Sequence, residues 1–262
     1  CPGAGVIVAT RCGAYEEGDL VTSLPGWQEY SVVRDDVFTT KAPEGVTAEQ
    51  LLGVVGQNGM AAHIGLLDVG RPEPGQTVVV SAAAGATGSI AAQIAKLKGC
   101  RVVGIAGTDE KCEWLTGELG LDAAINHRAD GFAEALRAAT PDRIDVYFDN
   151  VGGWILDAVL RRLAMHARVV LCGAISVYNE ERKPPGPANY LELITQRARM
   201  EGFNTFDHWG RFEEIAAELA GWVADGRIRT RETVVEGLDR APAALRMLFE
   251  GGNTGKLLVR VG

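Results

Sequence analysis

The chain lacks the features that mark several large classes of protein. Within its 262 residues, no apolar stretch reaches the roughly 18 needed for a membrane-spanning helix. The five cysteines, Cys1, Cys12, Cys100, Cys112 and Cys172, are odd in number, and none stands in C-x-x-C spacing. They read as reduced thiols of a cytoplasmic protein, not as a disulfide framework. The four histidines, His63, His127, His166 and His208, pair with no cysteine or acid at zinc-ligand spacing. No metal site is therefore expected, and zinc-dependent alcohol oxidation is disfavoured. The absence of a G-x-S-x-G elbow leaves a serine hydrolase unsupported. Internal repeats and low-complexity tracts are missing too. Positive charge is in deficit: 26 Lys and Arg against 34 Asp and Glu give a net charge of −8 and a pI near 5.1. An acidic surface argues against nucleic acid or an anionic membrane as the main partner. No secretory leader is visible at the start, which opens on Cys1 and not Met.

What is present describes an ordinary globular chain, 47% hydrophobic with a mean hydropathy of +0.03. Residues 5–10 (GVIVAT), 20–23 and 27–33 (WQEYSVV) are strand candidates separated by turn signals, as in part of a barrel or sandwich. The character changes at 77–81 (TVVVS), a β-branched run without alternation, which suits a strand covered on both faces. A helix is expected at 90–98, a strand at 101–106, a helix from an N-cap at Thr108 to 119, and a strand at 123–126. A helix at 131–139, strands at 144–149 and 167–172, a helix at 190–197 and a strand at 200–204 follow. This alternation predicts an α/β fold with a Rossmann-type doubly wound parallel sheet. An amphipathic helix at 211–224 precedes a strand at 230–235, a helix at 238–249 and a closing strand at 256–261. The expected division is a dinucleotide-binding domain over 59–232 and a smaller, β-rich partial substrate domain made of 1–58 and 233–262.

The most informative segment is 78–88, VVVSAAAGATG: a strand, a loop of small residues and a helix start. The three positions of a G-x-G-x-x-G fingerprint hold Ala83, Gly85 and Gly88. Gly85 lets the backbone approach a pyrophosphate, Gly88 lets the helix pack closely, and the helix N-terminus offers free N–H groups to phosphate. At the end of the second strand an NAD enzyme usually places Asp or Glu to hold the ribose 2′-hydroxyl. Here Ala106-Gly107-Thr108 stands instead, followed at once by Lys111. A missing acid and a nearby cation favour a 2′-phosphate, hence NADP(H); the alternative is a solvated first-turn lysine.

Eight further stretches occur in order over nearly the whole chain: 26–30 (GWQEY), 65–70 (GLLDVG), 82–88 (AAAGATG), 108–111 (TDEK), 148–153 (FDNVGG), 172–179 (CGAISVYN), 184–187 (PPGP) and 251–256 (GGNTGK). Together they resemble the zinc-independent medium-chain dehydrogenase/reductases, in the branch of prostaglandin reductases, alkenal double-bond reductases and curcumin reductases. The resemblance implies a GroES-like substrate domain beside the Rossmann domain. It also implies NADPH-dependent reduction of a carbon–carbon double bond conjugated to a carbonyl. By the same resemblance Gly85, Ala86, Thr87 and Gly88 hold the pyrophosphate and Lys111 the 2′-phosphate. His127 stands where relatives often have a tyrosine beside that phosphate. Asn150 contacts the cofactor. Cys172, Gly173, Ala174, Ile175 and Ser176 run along its nicotinamide half, Phe203, Asn204 and Thr205 sit against the ring, and Asn253 closes over it. Tyr178 is the implied catalytic residue, donating a hydrogen bond to the enolate as it forms. The implied partners are a small unsaturated carbonyl substrate and a second copy in a homodimer, with the strand at 256–261 and the segment around 165–171 as candidate contacts.

Two departures from the family pattern qualify the expectation. Relatives carry a longer stretch before Gly5, so the substrate domain looks depleted. Where relatives usually read G-M-P-G-x-T-A-Y, residues 56–63 read GQNGMAAH, so Ala61 and His63 replace Thr and Tyr near the expected cofactor. His63 becomes a rival proton donor. A quinone reductase, or a dinucleotide-binding protein with lost or altered reductase activity, are the alternative readings.

Overall fold

The computed structural model describes residues 2–36, 38–182 and 184–261. The chain opens with strands β1 (Gly3–Val6), β2 (Leu20–Ser23) and β3 (Thr40–Lys41), which pair antiparallel in a three-stranded sheet. Among the described residues this is an open three-stranded sheet, in keeping with part of a barrel or sandwich. The first expected strand, 5–10, is shifted to Gly3–Val6. The expected strand at 27–33 is not a strand: Trp27, Tyr30 and Val32 are exposed, so no neighbour is present to reward an extended pairing. Two short helices follow, α1 (Ala48–Leu52), closed at its start by a Thr47–Gln50 capping box, and α2 (Gln57–His63). A π-helical stretch, Ile64–Gly70, continues α2 toward the large sheet.

That sheet is assembled from β4 (Thr77–Val80), β5 (Arg101–Ala106), β6 (Ala123–Asn126), β7 (Ile144–Asp149), β8 (Leu163–Leu171) and β9 (Arg199–Gly202). The order is β6-β5-β4-β7-β8-β9, all parallel, with the reversal of strand order between β4 and β7. Between the strands run α3 (Ala86–Leu97), α4 (Asp109–Gly117), α5 (Phe132–Ala139), α6 (Gly153–Leu160) and the four-residue α7 (Glu192–Thr195), much shorter than the helix expected over 190–197. Ile194 and Leu191 are exposed there, so little burial sustains a longer helix.

The sheet divides the core into two layers. Val78, Val80, Val102 and Val146 face one cluster with Ile90, Ile94 and Leu219, while Val79, Val103, Tyr147 and Val169 face the other with Leu136, Ile155 and Leu160. Because both faces are covered, alternate residues of one strand bury into opposite layers, which explains the missing polar alternation in 77–81. Helix α8 (Phe212–Ala224) packs on the first layer beside α2. The chain then forms β10 (Glu232–Glu236), α9 (Ala241–Glu250) and β11 (Lys256–Arg260), with β10 and β11 paired parallel. β8 lies between β7 and β9, so it offers no free edge to a second copy.

Candidate active site

At the reversal point between β4 and β7 the chain leaves the sheet edge, where open parallel sheets bind ligands. A cleft of about 2090 Å³ runs across this end, bounded on one side by the sheet and on the other by residues of the first sheet, α9 and β11. That volume exceeds a single small-molecule pocket and suits a dinucleotide with a second ligand beside it.

The floor of the cleft is the loop from β4 to α3. Ala82 turns the chain with a left-handed φ of +47°, and Gly85 caps α3. Gly88 lies so close to the turn that a Cβ there would stand 2.3 Å from the Ala82 carbonyl oxygen, so only glycine keeps the helix against the loop. Gly85, Ala86, Thr87 and Gly88 all line the cleft. The start of α3 thus presents N–H groups and the positive end of the helix dipole to it.

At the end of β5 three basic side chains converge. Lys111 is not a solvated lysine: its Nζ donates to the carbonyl oxygen of Gly251 at 2.7 Å. Burial, with the Arg128 charge adding to it, holds its pKa below the ordinary lysine value. Burial likewise lowers the His127 pKa, with Arg128 and Lys111 contributing. A Cβ at Gly107 would meet His127 Nε2 at 3.3 Å and Arg128 Nε at 3.6 Å, so these two groups border one small space, and the Lys111 charge acts on His127 beside it. Arg128 was not foreseen from the sequence, although it directly follows His127; its guanidinium also donates to the Glu250 carbonyl oxygen at 3.1 Å. With Lys111 and Arg128 beside a strand end that carries no acid, Ala106-Gly107-Thr108, the space fits a phosphate better than a bare ribose hydroxyl, even with Glu110 acting on Lys111. The donor set therefore fits a dinucleotide that carries a 2′-phosphate.

The remaining wall is built from the ends of β7 and β8. Asn150, Cys172, Gly173, Ile175, Ser176 and Tyr178 line the cleft, as does the buried Asn253, whose Nδ2 donates to the Gly255 carbonyl oxygen at 2.9 Å. Burial, with Asp149 nearby, pushes the Cys172 thiol up to about 12, so it stays protonated and unreactive. Tyr178 is 61% exposed, and its hydroxyl oxygen accepts the Ala174 N–H at 3.0 Å, which leaves the phenolic proton free to donate.

Other expected positions lie elsewhere. Ala174, Phe203, Asn204 and Thr205 are not part of the cleft lining. The Phe203 ring crowds Gly65, Asn204 caps a 3₁₀ turn through the Phe206 N–H at 3.1 Å, and Thr205 is buried. His63 points away from the cleft. It is 5% exposed, its Nε2 lies 2.9 Å from Glu218 Oε2 on α8, and its ring stacks on Trp222. Its expected place as a rival proton donor is thus overturned, and Ala61 is not in the lining either. The departure that does reach the cleft is Asn58. Its Oδ1 accepts from Lys256 Nζ at 2.8 Å and its Nδ2 donates to Thr87 Oγ1 at 2.9 Å. No local signal announces a pair 198 residues apart.

The comparison with known proteins matches this arrangement. The family described as zinc-binding dehydrogenase matches residues 86–221, which begin at the start of α3 and hold five of the six strands of the parallel sheet. The NADPH-dependent curcumin reductase of Escherichia coli is 42% identical over 260 residues, covering 97% of this chain and 75% of that protein. The chain belongs to the medium-chain dehydrogenase/reductases, in their zinc-independent branch of curcumin, prostaglandin and alkenal reductases. Within that branch, the NADP(+)-dependent 2-alkenal reductase of Nicotiana tabacum is 40% identical over 263 residues, covering 99% of this chain and 76% of that protein. The structure of CurA in complex with NADPH, from Vibrio vulnificus, superimposes with a TM-score of 0.93 at 41% identity, over 100% of this chain and 79% of that one. Among the described residues of this family member, no group of three or more His, Cys, Asp or Glu side chains is placed to hold a metal ion.

Proposed function

We propose that the chain is an NADPH-dependent oxidoreductase that reduces the carbon–carbon double bond of an α,β-unsaturated carbonyl compound. One observation carries the reading: a glycine-rich helix start, a cation cluster at an acid-free strand end and a tyrosine with a free phenolic proton open onto the same cleft. Curcumin reductase and 2-alkenal reductase, to which the chain is similar, are named for this cofactor and for substrates of this kind.

When bound, NADPH supplies the hydride. The chain's own residues do the rest. The start of α3 would hold the pyrophosphate, and Lys111, Arg128 and His127 the 2′-phosphate. Asn150, Cys172, Gly173, Ile175, Ser176 and Asn253 would border the rest of the dinucleotide, lining the same cleft as Tyr178. There negative charge gathers on the carbonyl oxygen during reduction, and the phenol donates a hydrogen bond to it. We read residues 59–232 as the dinucleotide-binding domain and 1–58 with 233–262 as the substrate domain. We also read the enzyme as a cytoplasmic homodimer; no helix among the described residues is long and apolar enough to cross a membrane. Sedimentation showing a monomer at micromolar concentration would overturn the dimer.

The function is tested by following NADPH absorbance with simple enones, enals and quinones. Turnover of enones with a saturated carbonyl product is the expected result. Turnover of quinones alone would make the enzyme a quinone reductase. NADPH binding without turnover of either would make it a binding protein.

A further inference from the structure

Beneath the cleft floor lies a carboxylate that takes no part in the reaction described above. Asp149, the last residue of β7, is fully buried. Its Oδ1 accepts from the Tyr147 hydroxyl at 2.8 Å, the Ser81 hydroxyl at 2.9 Å, and the N–H groups of Val151 and Gly152 at 3.0 Å each. Burial and the Asp149 charge raise the Tyr147 pKa well above its usual value, so this phenol stays protonated and donates. A buried carboxylate only accepts, so it dictates where each neighbouring proton points.

For Ser81 this has a directional consequence. It gives its one hydroxyl proton to Asp149, and its lone pairs are left for the next group. That group is Asn150, whose backbone N–H donates to Ser81 Oγ at 2.9 Å. The Asn150 side chain is tied to the same residue, its Nδ2 donating to the Ser81 carbonyl oxygen at 2.7 Å. With that bond made, Asn150 Oδ1 has no hydrogen-bond partner among the described residues, and Asn150 lines the cleft. The carbonyls behind it hold the facing loop: Asp149 accepts from the N–H groups of Cys172 and Gly173, Asn150 from Ile175, and Val151 from Ser176.

We propose that Asp149 and Ser81 are positioning residues for the dinucleotide site, acting through Asn150 to present its carboxamide oxygen to the cleft as an acceptor. An acceptor of this kind suits a ribose hydroxyl or an amide N–H and disfavours a phosphate oxygen. The chain reaction of contacts joins the ends of β4, β7 and β8, three strands whose residues are remote in sequence. The inference rests on the reading of the cleft as an NADPH site.

A double-mutant cycle on the full chain tests it, with the NADPH dissociation constant read by calorimetry and folding by circular dichroism and Tm. Ser81→Ala removes both hydrogen bonds of the hydroxyl, to Asp149 and from the Asn150 N–H, and is expected to weaken NADPH about tenfold as Asn150 loses its anchor. In an Asn150→Ala background the same change is expected to have less than about a twofold effect, because the group it positions is gone. His63→Ala, remote from the cleft, serves as a control that lowers Tm and leaves NADPH affinity in place. Should Ser81→Ala fail to fold, Ser81→Cys keeps the volume and weakens the hydrogen bonds, and the same cycle applies. A folded Ser81 variant that binds NADPH like the wild type, or that loses as much affinity with Asn150 absent as with it present, overturns the relay. A wild-type protein that does not bind NADPH overturns the reading of the cleft as well.

Discussion

The two ends of the cleft are built to different standards of order. At the end proposed for the phosphate Lys111 and Arg128 are bonded to the carbonyls of Gly251 and Glu250, and burial shifts both Lys111 and His127. At the other end Tyr178 stands on a single 3₁₀ turn, 61% exposed, with one hydrogen bond to its own loop. One end is preformed by contacts across the fold; the other is supported locally. Binding energy is therefore gathered at a site distant from the bond that reacts, and changes at the two ends should separate affinity from rate.

The sharpest separation is expected at Tyr178. On the proposed mechanism Tyr178→Phe removes a donor used mainly in the transition state, so kcat should fall roughly 30- to 1000-fold with NADPH affinity spared. Steady-state kinetics with calorimetry would decide; a full-rate variant breaks the comparison by removing chemistry from that end. Next in size is Lys111→Ala, where loss of a charge-assisted phosphate contact should weaken NADPH by about 10- to 100-fold. NADH affinity should not change. Equal losses for both cofactors would mean that Lys111 acts on the fold, through Gly251, and not on phosphate.

The smallest expected effect is in pH. Folding holds the His127 pKa below its usual 6.5. The unfolded chain then takes up a proton before the folded one, so this ring costs no stability above about pH 6.5 and destabilises the protein as pH falls below it. A 2′-phosphate favours the charged ring. NADPH affinity should therefore rise modestly, by less than about tenfold, as pH falls from 8 to 6, while NADH affinity stays level. Calorimetry at both pH values checks this, and His127→Gln should flatten the difference. A pH response equal for the two cofactors would count against His127 at the phosphate end.

What could be read from the sequence follows the same divide. β4, β5 and β7 carry apolar residues on both faces, so burial on two sides left its mark in each short run. The Ala82–Gly88 turn was legible because its steric demand is local. The strand expected at 27–33 failed for the opposite reason: β-branched and aromatic residues there meet no partner. Asn58, Ser81 and Asp149 stayed invisible because their meaning lies in partners far along the chain. His63 misled because a residue near the cofactor in sequence pattern can still face the opposite side of its helix.

The seam between β11 and the glycine-rich loop bears on how the protein comes into being on the ribosome. Gly255 N–H donates to the Ala84 carbonyl oxygen at 2.7 Å, and Lys256 reaches Asn58 at 2.8 Å. These closures wait for residues translated more than a hundred positions after the loop they complete, and domains fold as their chain emerges. All six strands of the parallel sheet, which ends at β9, are thus in the chain before the segment that fastens over the glycine-rich loop, and any ligand that binds the closed cleft in preference to the open one stabilises that fastening by mass action.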